Sequence, residues 1–388
     1  MQTLKDFSVP AIVAGFVTVL VGFTSSAVIV FQAAQGLGAS EAEIGSWMWA
    51  LGLGMGFTCI GLSLRYRVPV VTAWSTPGAA MLITSGSGAR LDEAIGAFVI
   101  SALLITIAGF SGLFERAINR IPVPLASAML AGVLLRFGID LFVAMKNQFG
   151  LAFAMFAVYL VMRRLLPRYA VLATLAVGLV ISGCLGLLRF DGLHLAFAQP
   201  QWTTPVFSIG ATIGIALPLF VVTMASQNLP GLSVLRASGY TVPVSPVIGW
   251  TGVANLVLAP FGAFALNLAA ITAAICMGRE AHEDPAKRYT ASIAAGLIYC
   301  LVGIFGATVA ALFAAFPREL VQVIAGLALL NTIGNGLASA MSAERDREPA
   351  LITFLVTASG VVFVGIGSAF WGLAAGVLAL GVLRWRSA

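Results

Sequence analysis

The chain has 388 residues, of which 60% are hydrophobic and only 9% charged, and its mean hydropathy is +1.02. A soluble domain carries about 25% charged residues, so this composition excludes one and specifies a polytopic membrane protein. The formal net charge of +6 is no nucleic-acid footprint, because nearly all the basic residues fall in short loops between apolar runs.

At about 20 residues per membrane crossing, the chain divides into fourteen apolar segments. The first seven run over 10–36, 43–64, 68–86, 93–113, 122–141, 148–163 and 170–188. The first lacks a small-residue cleavage site and reads as a retained span, not a signal peptide. A polar stretch with Arg189, Asp191, His194 and Trp202 follows. Seven more segments cover 205–230, 243–258, 260–278, 290–315, 318–338, 350–366 and 368–384. With both termini cytoplasmic, sixteen Lys and Arg lie in inside loops and four outside, with Arg136 left within a span. That is the asymmetry of the positive-inside rule. Cys59, Cys184, Cys276 and Cys300 sit within apolar runs at no metal spacing and read as packing residues.

A weak internal repeat runs through these segments. Pro69 opens the third and Pro260 the tenth, 191 residues later. Pro122, with Ala131-Gly132 behind it, opens the fifth; Pro317, with Ala325-Gly326, opens the twelfth at an offset of 194–195. Seven is odd, so the copies 1–204 and 205–388 enter the membrane from opposite sides, as an inverted repeat. Chance matches also occur in an apolar chain with 16 prolines.

The third and tenth spans are interrupted. Val68 to Trp74 is β-branched and aromatic and reads as extended chain; Ser75-Thr76-Pro77-Gly78 then reads as a helix start. At the 191-residue offset Thr76 corresponds to Asn267, so two half-helices are expected to begin at Thr76 and Asn267, their N-termini meeting near mid-membrane. Free N–H groups and positive dipole ends favour an anion there. The plainer reading is that Pro77 and Asn267 only kink two helices. The eighth span ends with Ser226-Gln227-Asn228 and the first holds Thr24-Ser25-Ser26, polar groups suited to a substrate, a water or a neighbouring helix. Phe23, Trp74, Phe261 and Phe264 lie nearby and either stack on an aromatic ligand or pack in the core. Of the acids, only Asp140 falls within a span. It follows Arg136 by four residues, a spacing for a structural ion pair or, less simply, a proton relay. His282, Glu280, Glu283 and Asp284 cluster in the loop after the tenth span and read as solvated.

The run Asn-Leu-Ala-Ala-Ile-Thr-Ala-Ala-Ile-Cys (267–276), with Gly278, Ala281-His282, Asp284-Pro285 and Arg288-Tyr289, resembles the bacterial benzoate/proton symporter (BenE) family. Ala-Ser-Gln-Asn-Leu-Pro-Gly (225–231) and Trp-Ser-Thr-Pro-Gly-Ala (74–79) are similar to its motifs, and the resemblance covers essentially the whole chain. More distantly, the paired half-helices resemble nucleobase/cation symporters and sulfate-permease-type carriers. The resemblance implies an all-α fold of fourteen spans. A core bundle comes from 10–113 and 205–315, and a gate bundle from 122–188 and 318–384. It also implies benzoate uptake with protons, the substrate lying between the third and tenth spans. The nucleobase carriers hold carboxylates in the eighth and tenth spans; here the matching regions hold Ser226, Gln227, Asn228 and Asn267. The proton carrier is therefore not identified, and the absence of acids suits an anionic substrate.

The expected function is a secondary transporter for an aromatic carboxylate in a bacterial inner membrane, with no cofactor and with protons as partner. A homodimer is left open. The substrate-binding residues are expected among Ser25, Ser26, Trp74, Ser75, Thr76, Gly78, Ser226, Gln227, Asn228, Phe264, Asn267 and Leu268. A carrier for another anion or a nucleobase-like solute, and a channel, are the alternatives. A membrane enzyme is disfavoured, since neither histidine lies in a span.

Overall fold

The computed structural model describes residues 6–85, 89–118, 122–188, 197–361, 363 and 368–384. Lys5, Arg120, Arg189, Asp191, His194 and Arg386 lie outside these residues, as does the side chain of Ser25. The chain is mostly helical. The first half contributes α1 (Val9–Gly36), α2 (Glu41–Tyr66), α3 (Thr76–Ser85), α4 (Leu91–Phe110), α5 (Val123–Asn147), α6 (Phe149–Leu165) and α7 (Ala170–Cys184). The second half contributes α8 (Ile209–Ala237), α9 (Val244–Leu258), α10 (Ile271–Met277), α11 (Tyr289–Ala314), α12 (Arg318–Ala340), α13 (Arg347–Ala358) and α14 (Ser368–Arg384). Among the described residues, seven helices are long and apolar enough to cross a membrane. Phe57, Ile107, Val180 and Leu378 stand exposed on their outer faces, the arrangement of a surface solvated by hydrocarbon.

Local chemistry sets the helix starts. Ser8 accepts a hydrogen bond from the Ala11 N–H ahead of α1, with Pro10 in the first turn. Ser40 and Glu43 form a reciprocal capping box at α2, which satisfies two N–H groups the helix leaves open.

An all-α chain was expected, and the two interrupted spans depart from it. Each enters as a three-residue strand, β1 (Thr72–Trp74) and β2 (Leu266–Leu268). The strands pair antiparallel with Thr72 opposite Leu268, Ala73 opposite Asn267 and Trp74 opposite Leu266. Non-helical backbone inside a membrane must satisfy its polar groups within the protein, and each broken segment here does so with the other.

Helices α1–α4 and α8–α11 pack as one group, chiefly through α2 on α11, α4 on α9 and α1 on α11. Helices α5–α7 and α12–α14 form a second, built on α5 against α12 and α13, and on α13 against α14. The first group closes on glycines. A Cβ on Gly52 would lie 2.5 Å from the Gly303 Cα, and one on Gly56 would lie 2.8 Å from the Gly296 carbonyl oxygen. Small residues permit this backbone approach, and dispersion then holds helices together where lipid offers no hydrophobic drive. The end of α8 packs on α5, and α1 on α12, so the groups meet along a seam.

The loop after α10 crosses that seam: Glu283 and Asp284 are solvated as expected, but Glu280 is not. Glu280 is buried and pairs with Arg163 of α6, which keeps its charge partnered away from water. Arg288 donates to the Met277 and His282 carbonyls at 2.9 and 2.8 Å, and the Asp284 N–H donates to His282 Nδ1.

Candidate substrate site

The strand crossing stands at the seam, beside a cavity of about 320 Å³. The first group lines it from α1 (Gly22, Ser26), β1 and α3 (Trp74, Thr76, Pro77), α8 (Ser226, Gln227) and the β2–α10 junction (Ala269 to Thr272). The second group lines it from α5 (Gly132, Val133, Arg136, Phe137), α13 with its C-terminal turn (Thr357 to Gly360) and the start of α14 (Ser368). The walls are mainly apolar, with hydroxyls, one amide and one guanidinium, and no carboxylate side chain among the described lining residues. A volume of this size is at the lower end of small-molecule sites, about 300–1,000 Å³.

The start of α3 is where it was expected, capped by Ser75. The Ser75 hydroxyl accepts from the Gly78 N–H at 3.0 Å and its carbonyl from Ala79 at 2.9 Å, so Thr76 is the first helical residue and faces the cavity. Gly78 is needed there for space: a Cβ would lie 2.8 Å from the Leu219 side chain. Trp74 donates its indole N–H to the Ser26 hydroxyl at 2.9 Å. Ser26 in turn donates to the Gly22 carbonyl at 2.8 Å, and Phe23 meets the indole edge-on at 5.1 Å. This chain of contacts fixes one aromatic wall.

The second half-helix departs from expectation. It begins at Ile271, four residues beyond Asn267, and its N-cap, Ala270, offers no side-chain bond. Asn267 is the middle residue of β2 and fully buried, and its amide donates to the Ala265 carbonyl at 2.7 Å. It therefore neither caps a helix nor lines the cavity. The physical reason is backbone pairing: three residues opposite β1 gain ladder hydrogen bonds that a longer helix would forfeit. With only seven residues, α10 also carries a weaker dipole than a full span.

Other expected residues sort by which way their element turns. Residues Met224–Asn228 form a widened π turn in α8, which shifts the register of side chains around it. Ser226 and Gln227 reach the cavity, whereas Asn228 turns behind the crossing and accepts from the buried Leu268 N–H at 2.9 Å. Leu268 packs against Gly231. Phe264 is fully buried, its ring 5.6 Å from Trp47 and 5.7 Å from Phe98. Phe261 meets Trp49 and Trp202 edge-on, away from the cavity.

Arg136 is the residue the site list above lacks. Its side chain is 87% exposed, open to the cavity, and its Nε stands 3.9 Å from Asp140, one turn along α5. A basic residue inside an apolar span was the available signal; its role in the cavity required knowing what faces α5. Phe137, Tyr299 and the hydroxyls of Thr357, Ser359 and Ser368 also line the cavity and belong to no motif in the sequence. A second cavity, of about 350 Å³, is lined by Leu130 of α5 together with Arg279, Arg288, Asn331 and Asn335.

Residues 5–382 match the family described as benzoate membrane transport protein. The inner membrane protein YdcO of Escherichia coli (strain K12) is 49% identical over 383 residues, covering 98% of each chain. The benzoate membrane transport protein of Acinetobacter baylyi is 42% identical over 384 residues, covering 99% of this chain and 98% of its own. Among solved structures, that of SLC26A9 superposes with a TM-score of 0.50 at 13% identity, covering 98% of this chain and 66% of that one. The last is a likeness of fold alone. The chain belongs to the benzoate membrane transport family of multi-pass membrane transporters.

Proposed function

We propose that the protein is a secondary active transporter that imports benzoate or a similar aromatic carboxylate together with protons, by alternating access, across a bacterial inner membrane. The observation that carries this reading is the cavity itself: apolar and aromatic walls with, among the described lining residues, a single cation, Arg136, and no carboxylate. A carboxylate moved into an apolar site without a counter-ion pays several kcal/mol of desolvation, roughly. The Arg136 guanidinium offsets that cost with a bidentate, charge-assisted pair. The Thr76 and Ser226 hydroxyls and the start of α3 add neutral donors, while Trp74, Val133 and Phe137 hold the ring.

Fourteen spans in two inverted halves, with α1–α4 and α8–α11 as core and the rest as gate, give the motion its frame. The strand register supports this plan. Helices α3 and α10 begin 195 residues apart, as do α5 and α12. At that offset the pair Thr72–Leu268 maps onto Ala73–Asn267, and Trp74–Leu266 maps onto the Val71–Ala269 bond. A two-fold axis in the membrane plane through the crossing produces that register; the 191-residue offset does not. Both cavities are lined by residues of both groups, which suits a seam that opens alternately.

The test is uptake of labelled benzoate into proteoliposomes with and without an imposed inward proton gradient. Saturable uptake, counterflow and accumulation under the gradient are expected. Uptake that neither saturates nor shows counterflow overturns the carrier reading, and saturable uptake that ignores the gradient overturns proton coupling.

A further inference from the structure

Resting on that reading, we propose that Asp140 carries the co-transported proton, because the substrate carboxylate takes Arg136 away from it. The placement supplies the argument. Arg136 opens into the cavity, and Asp140, about one-third exposed, lies behind it on the same face of α5 at 3.9 Å. That distance exceeds the 2.7–2.9 Å, roughly, of a tight charge-assisted pair, so the empty site is neutral but loosely closed. A substrate carboxylate entering the cavity meets the guanidinium from its open side and forms the tighter, two-point pair.

Two carboxylates would then share one guanidinium, leaving a net negative charge in a membrane interior. Like charges at such range do not both stay ionised. The site returns to neutrality when a proton from solvent on the entry side binds the Asp140 carboxylate. On the exit side the substrate departs, Arg136 returns to Asp140, and the proton leaves to that solvent. Empty and fully loaded sites are both neutral. A site with only the anion, or only the proton, carries a charge, which opposes leak of either.

No other charged group competes for this role among the described residues. Charged neighbours on α5 and α12 are Lys146, two turns further along, and Arg318 and Glu319. Gly326 of α12 packs on Phe137 and Leu141, which puts Arg318 and Glu319 out beside Lys146 and beyond Asp140. Helices α6, α8, α13 and α14 carry their charged residues at the opposite ends. The amides of Asn228 and Asn267, at the strand crossing, are both engaged with backbone.

The experiment uses full-length protein and labelled benzoate. In proteoliposomes, Asp140→Asn is expected to keep benzoate counterflow within about threefold of wild type while accumulation under a proton gradient falls to the equilibrium level. Asp140→Glu restores accumulation. Detergent-solubilised wild type, in weakly buffered solution with a pH indicator, is expected to take up one proton per benzoate bound near neutral pH, and Asp140→Asn none. Gradient-driven accumulation by Asp140→Asn, or benzoate binding to wild type with no proton uptake, overturns the assignment and leaves the benzoate carrier standing. Absence of any benzoate transport by wild type overturns both.

Discussion

The two broken spans occupy equivalent places yet do different work. The first is held from behind by α2: Thr72 bonds to Thr58 at 2.6 Å and to the Met55 carbonyl at 3.1 Å, and Ser63 accepts from the Val70 N–H at 3.2 Å. Its polar and aromatic side chains, Trp74 and Thr76, are then free to face the cavity. The second arrives through a tight turn with Gly262 at φ 100° and Ala265 at φ 47°, and β2 is wholly buried. Its one amide is spent on its own backbone, and it shows the cavity mainly small and aliphatic residues, Ala269 to Ile271, with Thr272 as its one polar residue there. A polar residue at a break in a span is therefore not a ligand by position alone; what stands behind it decides.

That contrast is best broken first at the turn that only the second arm needs. In Gly262→Ala the new Cβ would lie 1.8 Å from the Trp47 ring, at a left-handed φ. The backbone alone costs about 1–2 kcal/mol and moving a packed indole roughly 1–3 kcal/mol more. We expect loss of the monodisperse peak in detergent gel filtration. Next in size is Asn228→Ala, which leaves the buried Leu268 N–H without its acceptor and costs about 1–3 kcal/mol. The melting temperature in detergent should fall by several degrees, and benzoate should still raise it.

The sequence showed where the chain breaks and hid how the breaks are used. Pro69, Pro77, Pro260 and Gly262 mark both interruptions, because proline and glycine act on local backbone alone. The offset from Pro122 and Pro317 agrees with the 195 residues between the starts of α5 and α12. The offset from Pro69 and Pro260 misplaced the second helix start by four residues. Pro69 sits at the centre of a three-residue turn, closed by the Val70 N–H on the Val68 carbonyl, and Pro260 in a 3₁₀ turn, so the two prolines are not equivalent. The true start follows from a strand register between residues nearly 200 apart, which no local pattern encodes. Arg136 and Asp140 were legible as an ion pair by their spacing. The cavity was not, since Thr357 to Gly360 and Ser368 reach it only through the packing of α13 and α14 on α5.

The first arm is sharpened by Ser75→Ala, which removes the cap on α3 and costs about 1 kcal/mol. Because the cap also aims the start of α3 at the cavity, the half-saturation concentration for benzoate should rise by a few-fold. Thermal melts and uptake titrations read the two effects separately.

The smallest expected effect is the most discriminating. Asn267→Ala removes one hydrogen bond, worth about 0.5–1.5 kcal/mol, but it also removes a buried Oδ1 that has no partner. The two changes oppose each other, so the loss of stability should fall at or below the low end of that range. The half-saturation concentration should stay within about twofold, since the side chain does not line the cavity. What the amide does is clamp the carbonyl of a left-handed alanine. Glycine adopts that backbone without strain, so in an Ala265→Gly background the Asn267→Ala loss should shrink further, giving a coupling measurable by a double-mutant cycle. A several-fold rise in half-saturation at unchanged melting temperature would instead return Asn267 to the substrate and make the two arms alike.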